Sequence, residues 1–137
     1  MYKNNPLVSY RTPRVLSASE IINCRFYIES QINQYLSETN AKSFTVKDIF
    51  GYNNWNWSEQ HEPLQCICNA WANHYIKTRP NWTCDEVYTE AYKQAAISLG
   101  HLVKQVVGIM PNKTFIISNP SGWNIVYKVV WGDIWII

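Results

Sequence analysis

The segment Thr114-Phe115-Ile116-Ile117-Ser118-Asn119-Pro120-Ser121-Gly122-Trp123-Asn124-Ile125-Val126-Tyr127-Lys128-Val129-Val130-Trp131 decides the fold class. Two runs rich in β-branched and aromatic residues, Thr114 to Ser118 and Trp123 to Trp131, flank a stretch of turn formers. Such side chains pack well on a pleated surface, so both runs read as strands. Gly122 supplies the left-handed backbone that a hairpin loop needs. Farther on, Gly132-Asp133 reads as another turn, and Ile134-Trp135-Ile136-Ile137 is a run of large apolar residues. These side chains need a cover, either as a third strand or against a second subunit, so a homodimer through the apolar C-terminus fits the sequence.

Upstream of the hairpin the apolar period is helical. Thr83-Cys84-Asp85-Glu86 is a capping box, in which the threonine and glutamate side chains satisfy each other's amides. It launches Val87, Tyr88, Ala91, Tyr92, Ala95, Leu99, Leu102, Val103 and Val106 at helical spacing, with Gly100 either breaking that helix or only weakening it. Before it, Leu64, Ile67, Cys68, Trp71 and Tyr75 form an amphipathic stripe, with Pro63 in the first turn and Pro80 past the end. At Phe44 to Phe50, Thr45 caps, Asp48 sits at the third position and Phe44 is placed to staple onto Ile49, which predicts a short helix stopping near Gly51. Ser17-Ala18-Ser19-Glu20 opens the first helix, whose apolar face is Ile21, Cys24, Ile28, Ile32, Tyr35 and Leu36, to about Ser37. Residues 1–16, with Pro6 and Pro13 and no periodicity, read as an extended basic arm. The expected fold is α+β and winged helix-turn-helix-like over residues 17–137. It has three to four helices, then a C-terminal β-hairpin or three-stranded meander, with an aromatic-rich insert at about 52–97.

A chain of 137 residues is sized for one domain. Charged residues make up 16%, below the usual quarter, and aromatics 15%. The seven Trp and nine Tyr exceed what one small core hides, so part of that surface is a partner site or a satellite cluster. No apolar leader opens the chain, and no apolar run approaches the ~18–20 residues that span a bilayer. The expectation is therefore a cytoplasmic protein with no membrane partner. There, the four cysteines at 24, 66, 68 and 84 read as thiols, and the triplets at Asn56, Asn81 and Asn112 carry no glycosylation meaning.

The charge is unevenly placed. Residues 1–19 carry Lys3, Arg11 and Arg14 and no acid, residues 20–90 carry five basic and nine acidic side chains, and residues 91–132 carry Lys93, Lys104, Lys113 and Lys128 and no acid. A field of one sign over the last helix and the hairpin suits a phosphate backbone, whose neutralisation releases counterions. Ordinary solubilising surface is the competing reading.

Little in the chain points to catalysis. The three histidines, His61, His74 and His101, lie in no nucleophile or paired-histidine metal motif, and the five glycines form no phosphate loop. Glu59 and Glu62 flank His61, as a proton-transfer cluster or as acids complementing a helix N-terminus. Cys66, Cys68, His61, His74 and Cys84 invite a zinc reading, yet no CxxC knuckle is present, and cysteines two apart on a helix diverge. The expectation is no enzyme activity, no cofactor and no metal.

The order of helix, short capped element, helix, longer helix and hairpin matches a winged helix-turn-helix domain, whose pre-wing helix commonly enters a groove while the hairpin touches flanking backbone. Two segments, Phe44 to Phe50 and Leu99-Gly100-His101-Leu102-Val103-Lys104-Gln105-Val106-Val107 with the following hairpin, resemble small winged-helix proteins of Gram-positive mobile genetic elements. That family includes single-stranded-DNA-binding members from staphylococcal cassette elements. The resemblance covers about half the chain; the stretch 52–97 and the tail from Trp131 are additions to the family pattern. It implies nucleic-acid binding close to replication or maintenance of a mobile element or phage. The pre-wing helix offers Ser98, His101, Lys104 and Gln105, the wing Lys113 and Lys128, and the arm Arg11 and Arg14. Trp55, Trp57 and Trp123 are candidates for stacking on unpaired bases or for a partner contact, with core or loop packing as the alternative. The rival expectation is a protein-binding module, such as a phage-encoded inhibitor of a host defence nuclease, since interface cores enrich Trp and Tyr.

Overall fold

The computed structural model describes residues 14–51, 60–111, 113–119 and 125–130. Helix α1, Ala18–Thr39, starts where Ser17 Oγ accepts from the Glu20 amide at 3.2 Å and Glu20 Oε1 accepts from the Ser17 amide at 2.8 Å. Its buried residues are Cys24, Ile28, Ile32 and Leu36, each one turn after the last, and Asn40 ends it in the left-handed conformation at φ 55°. Thr45 and Asp48 repeat the capping box at 3.2 and 2.9 Å, starting α2, Val46–Phe50. Gly51 stops α2 at φ 99°, where a Cβ would be strained. A 3-10 turn, Glu62–Leu64, carries Pro63 and leads into α3, Gln65–Thr78. The third box, Thr83 with Glu86, opens α4, Cys84–Ile109. Gly100 does not break α4; its 26 residues run through as one helix, about 39 Å long.

The strands are β1, Ser43–Phe44, β2, Phe115–Asn119, and β3, Val126–Val129. They form one antiparallel sheet in the order β1-β3-β2, with Phe44 opposite Tyr127 and Phe115 opposite Val129. The structure is therefore α+β, with four helices and a three-stranded sheet among the described residues. The third strand comes from the residues just before α2, whereas a third strand at Ile134–Ile137 falls outside the described residues. Strand β3 begins at Val126, later than the Trp123 start expected from side-chain type. Alternation puts Phe44, Phe115, Tyr127 and Val129 inward, all buried, and leaves Lys128 exposed on the outer face. The Phe44 ring stacks on Tyr127 at 5.2 Å and meets Phe115 edge-on at 5.7 Å.

Helix α4 is the central element. Leu99, Leu102, Val103, Val106 and Val107 join Cys24, Ile28 and Ile32 of α1, Leu64 of the 3-10 turn, Ile67 of α3 and the inner sheet face in the main core. Leu16 belongs to it and Val15 packs against it, so the arm expected over residues 1–16 ends before those two residues. A smaller cluster lies between α3 and the first half of α4, where Ala72, Val87 and Ala91 are covered by Trp71, Tyr75 and Trp82. Those three rings stack in sequence at 5.8 and 5.4 Å, both pairs tilted by 25°, and the Arg79 guanidinium lies 5.8 Å from the Trp82 ring. Part of the expected aromatic insert is thus a satellite core. No helix among the described residues is long and apolar enough to cross a membrane.

Candidate functional site

Along α4, Lys93, Ile97, Gly100, His101 and Lys104 follow a helical stripe that the core does not cover completely. Where that stripe meets the sheet, Ile97, Gly100, His101 and Lys104 line one side of a half-open cleft of about 270 Å³. Val46 of α2 with Ile125 and Tyr127 of the hairpin forms the other side. The cleft is apolar in its body and carries two nitrogen-bearing side chains. Gly100 widens it: a Cβ built there meets nothing within 4 Å, so the glycine leaves open space on the helix surface. Tyr127 lies with its ring in the core, and burial raises its phenol above the ordinary value, so it stays neutral and hydroxylic.

Of the residues expected to contact nucleic acid, the structure brings His101 and Lys104 to this cleft. Gln105 is not beside them. It is buried, and its Oε1 accepts from Arg25 Nε of α1 at 3.1 Å and from a terminal guanidinium nitrogen of the same arginine. Ser98 is likewise buried, and its Oγ accepts from Trp71 Nε1 of α3 at 2.9 Å. The reason is helical geometry. Successive residues are about 100° apart, so Gln105 faces well away from Lys104 and falls with Ser98 on the face toward α1 and α3. Gln105, expected as a contact residue from its spacing, is an internal tie.

The remaining cations are dispersed. Lys113 is half-buried in a different small cavity, beside Leu36, Asn40, Ala41 and Val129, where a positive charge complements the carbonyl end of α1. Lys128 is exposed at mid-β3, opposite Ser43 and Ile116. Arg14 is exposed on a shallow groove shared with Glu20, Cys66, His74 and Lys77. Arg11, Trp55, Trp57 and Trp123 lie outside the described residues, as does the C-terminal segment expected to dimerise. Sequence reasoning missed Ile97, Ile125, Tyr127 and Val46 as lining residues. The only local signal was Gly100 between two stripe residues.

The other chemical candidates have structural surroundings. His61 packs edge-on against Tyr27 and Phe50, and its Nδ1 lies 2.6 Å from the Tyr27 hydroxyl. Burial lowers the His61 imidazolium below 6.5 and raises the Tyr27 phenol, so the pair is neutral near pH 7. Glu59, its proposed acidic neighbour, is outside the described residues. Among the described residues, no three His, Cys, Asp or Glu side chains gather in a way that could hold a metal ion. Comparison with family models, with curated proteins and with solved structures returns no match for this chain.

Proposed function

We propose that the chain is a non-catalytic nucleic-acid-binding protein of winged-helix-like layout, and that its cleft receives an unpaired strand. The observation that carries this reading is the cleft itself, which sets an apolar cavity with Tyr127 in its wall beside His101 and Lys104. Bases present apolar faces and phosphates present negative oxygens, so one surface of this composition serves both. Most of the second half of α4 is buried on several sides, including Leu102, Val103, Val106 and Val107. Reading a duplex requires a helix that presents a broad face to the major groove. A narrow stripe ending in a cleft suits a single strand better. Lys128 on the outer face of the wing and Lys93 at the head of the stripe extend the positive field on either side. The resemblance in residues 44–50 and 99–107 points to work on a mobile element or phage.

Fluorescence anisotropy with labelled single-stranded and duplex DNA, at about 50 and 200 mM salt, tests the proposal. The expected result is tighter single-strand binding that weakens steeply with salt. Absence of binding at the lower salt overturns it. A second reading, a protein-binding module, rests on Ile22 and Phe26, neighbours one turn apart on α1 that are 51% and 71% exposed. It gains if DNA does not bind and a stoichiometric protein complex forms that Phe26→Ser abolishes.

A further inference from the structure

The core stripe of α1 places Cys24 opposite the first turn of α3, where Cys66 follows Pro63. The two sulfurs stand 3.5 Å apart although 42 positions separate them in the chain. Cys24 is fully buried, whereas Cys66 is half-buried and opens onto the groove lined by Arg14, Asn69, Asn73 and Lys77. The Pro63 carbonyl oxygen lies 4.0 Å from the Cys24 sulfur and 3.7 Å from the Cys66 sulfur. The pair thus has an inner and an outer member, held by two elements that the hydrophobic core keeps together.

We propose that Cys24 and Cys66 are a peroxide-sensitive dithiol, with Cys66 the sulfur that is attacked and Cys24 the one that resolves it into an intramolecular disulfide. The thiolate is the reactive form. The Cys66 thiol is lowered chiefly by the hydrogen bond that Cys24 donates and also by the backbone amides of Cys66 and Ile67, against burial and the nearby Glu20 carboxylate. Cys24 is raised, first by that same hydrogen bond and then by burial, so it keeps its proton. In the first step, the Cys66 thiolate attacks one oxygen of a hydroperoxide. The S–O bond forms, the O–O bond breaks, and the leaving hydroxide or alkoxide takes up the proton that the Cys66 thiol gave to solvent on ionising. In the second step, the Cys24 sulfur attacks Cys66 Sγ. The S–S bond forms as the S–O bond breaks, and the Cys24 proton leaves with the hydroxyl as water. Two thiols are oxidised and one peroxide is reduced.

The geometry distinguishes this pair from the other two cysteines. Cys68 is two residues from Cys66 on the same helix and therefore faces away from it, and it is buried. Cys84 is exposed in the first turn of α4 and serves as an internal control for accessibility alone. A Cys24–Cys66 bond would tie α1 to α3 across the whole segment between them, restricting the unfolded chain and stabilising the folded one.

The test treats the reduced full-length protein with hydrogen peroxide, blocks free thiols, and reads intact mass and disulfide-linked peptides. The expected product is a monomer lighter by about 2 Da, with a Cys24–Cys66 linkage and with Cys68 and Cys84 still open to alkylation. Its melting temperature rises by several degrees and returns on reduction. In Cys24→Ser the reaction stops at the Cys66 sulfenic acid, which dimedone captures; in Cys66→Ser no linked peptide to Cys24 forms. Oxidation of Cys84 ahead of Cys66, a linkage from Cys66 to any other cysteine, or four thiols that all remain free overturns the proposal. The wild-type peptide map decides the matter even if a variant fails to fold.

Discussion

The two sides of α4 carry polar groups of similar composition and opposite consequence. On one side, Ser98 and Gln105 are buried and each accepts a hydrogen bond from a distant residue, Trp71 or Arg25. On the other, His101 and Lys104 border a half-open cleft with Ile97 and Ile125. The difference lies in what packs against each face. α1 and α3 cover the first side and supply donors, while the sheet stands back from the second. A buried polar atom is tolerated only with a partner, so the first pair joins the helices. The second pair lines the cleft instead of tying helices together.

Substitutions that exchange these roles test the contrast. Gln105→Ala has the largest expected effect, because it leaves the part-buried Arg25 guanidinium without its acceptor. The loss is about 1–3 kcal/mol of stability in chemical denaturation, with DNA affinity at a permissive temperature unchanged. Equal losses in both would remove the distinction between the faces. Lys104→Ala should behave in the opposite way. Stability stays within about 0.5 kcal/mol, while single-strand affinity falls up to tenfold and the salt slope loses about one unit. Gly100→Ala sharpens the same point. The helix gains about 0.5–1 kcal/mol from the better helix former, since nothing stands within 4 Å of the added carbon. Its methyl enters the cleft, so thermal stability should rise while strand affinity stays level or drops. A fall in stability would place an unrecognised neighbour against Gly100.

The smallest effect concerns His61. Its folded value lies below 6.5, so the unfolded chain binds the proton more readily. The stabilisation is complete above the unfolded value near 6.5 and is lost as pH falls from there through the lower folded value. Denaturation midpoints measured between pH 7.5 and 5 should decline across that window, and His61→Phe should flatten the decline. Midpoints that rise on acidification would mean that His61 gains a carboxylate partner.

Much of the helical framework was legible locally. Both expected capping boxes form, the Thr45 cap becomes a third with Asp48, and the α1 stripe buries Cys24, Ile28, Ile32 and Leu36 as its period requires. The hairpin was visible from its β-branched runs, but β1 was not. Two residues, Ser43 and Phe44, have no period to detect, and only pairing with Lys128 and Tyr127 makes them a strand. Of the candidate contact residues, Lys104 and His101 line the cleft, whereas Gln105 turns inward to Arg25, which lies 80 positions away in the chain and leaves no local signal. Trp71, Tyr75 and Trp82 were known to be abundant aromatics, but their stacking depends on how α3 lies against α4.

Helix starts, buried helix faces and the hairpin were readable along the chain, because caps and periodicity act within a few residues. Packing between distant segments set the rest: β1 joins the sheet beside β3, Gln105 and Ser98 turn inward, a cleft opens at Gly100, and Cys24 meets Cys66. Each of these depends on atoms brought together from far along the chain by burial of a common core, and short-range spacing carries no record of such a meeting.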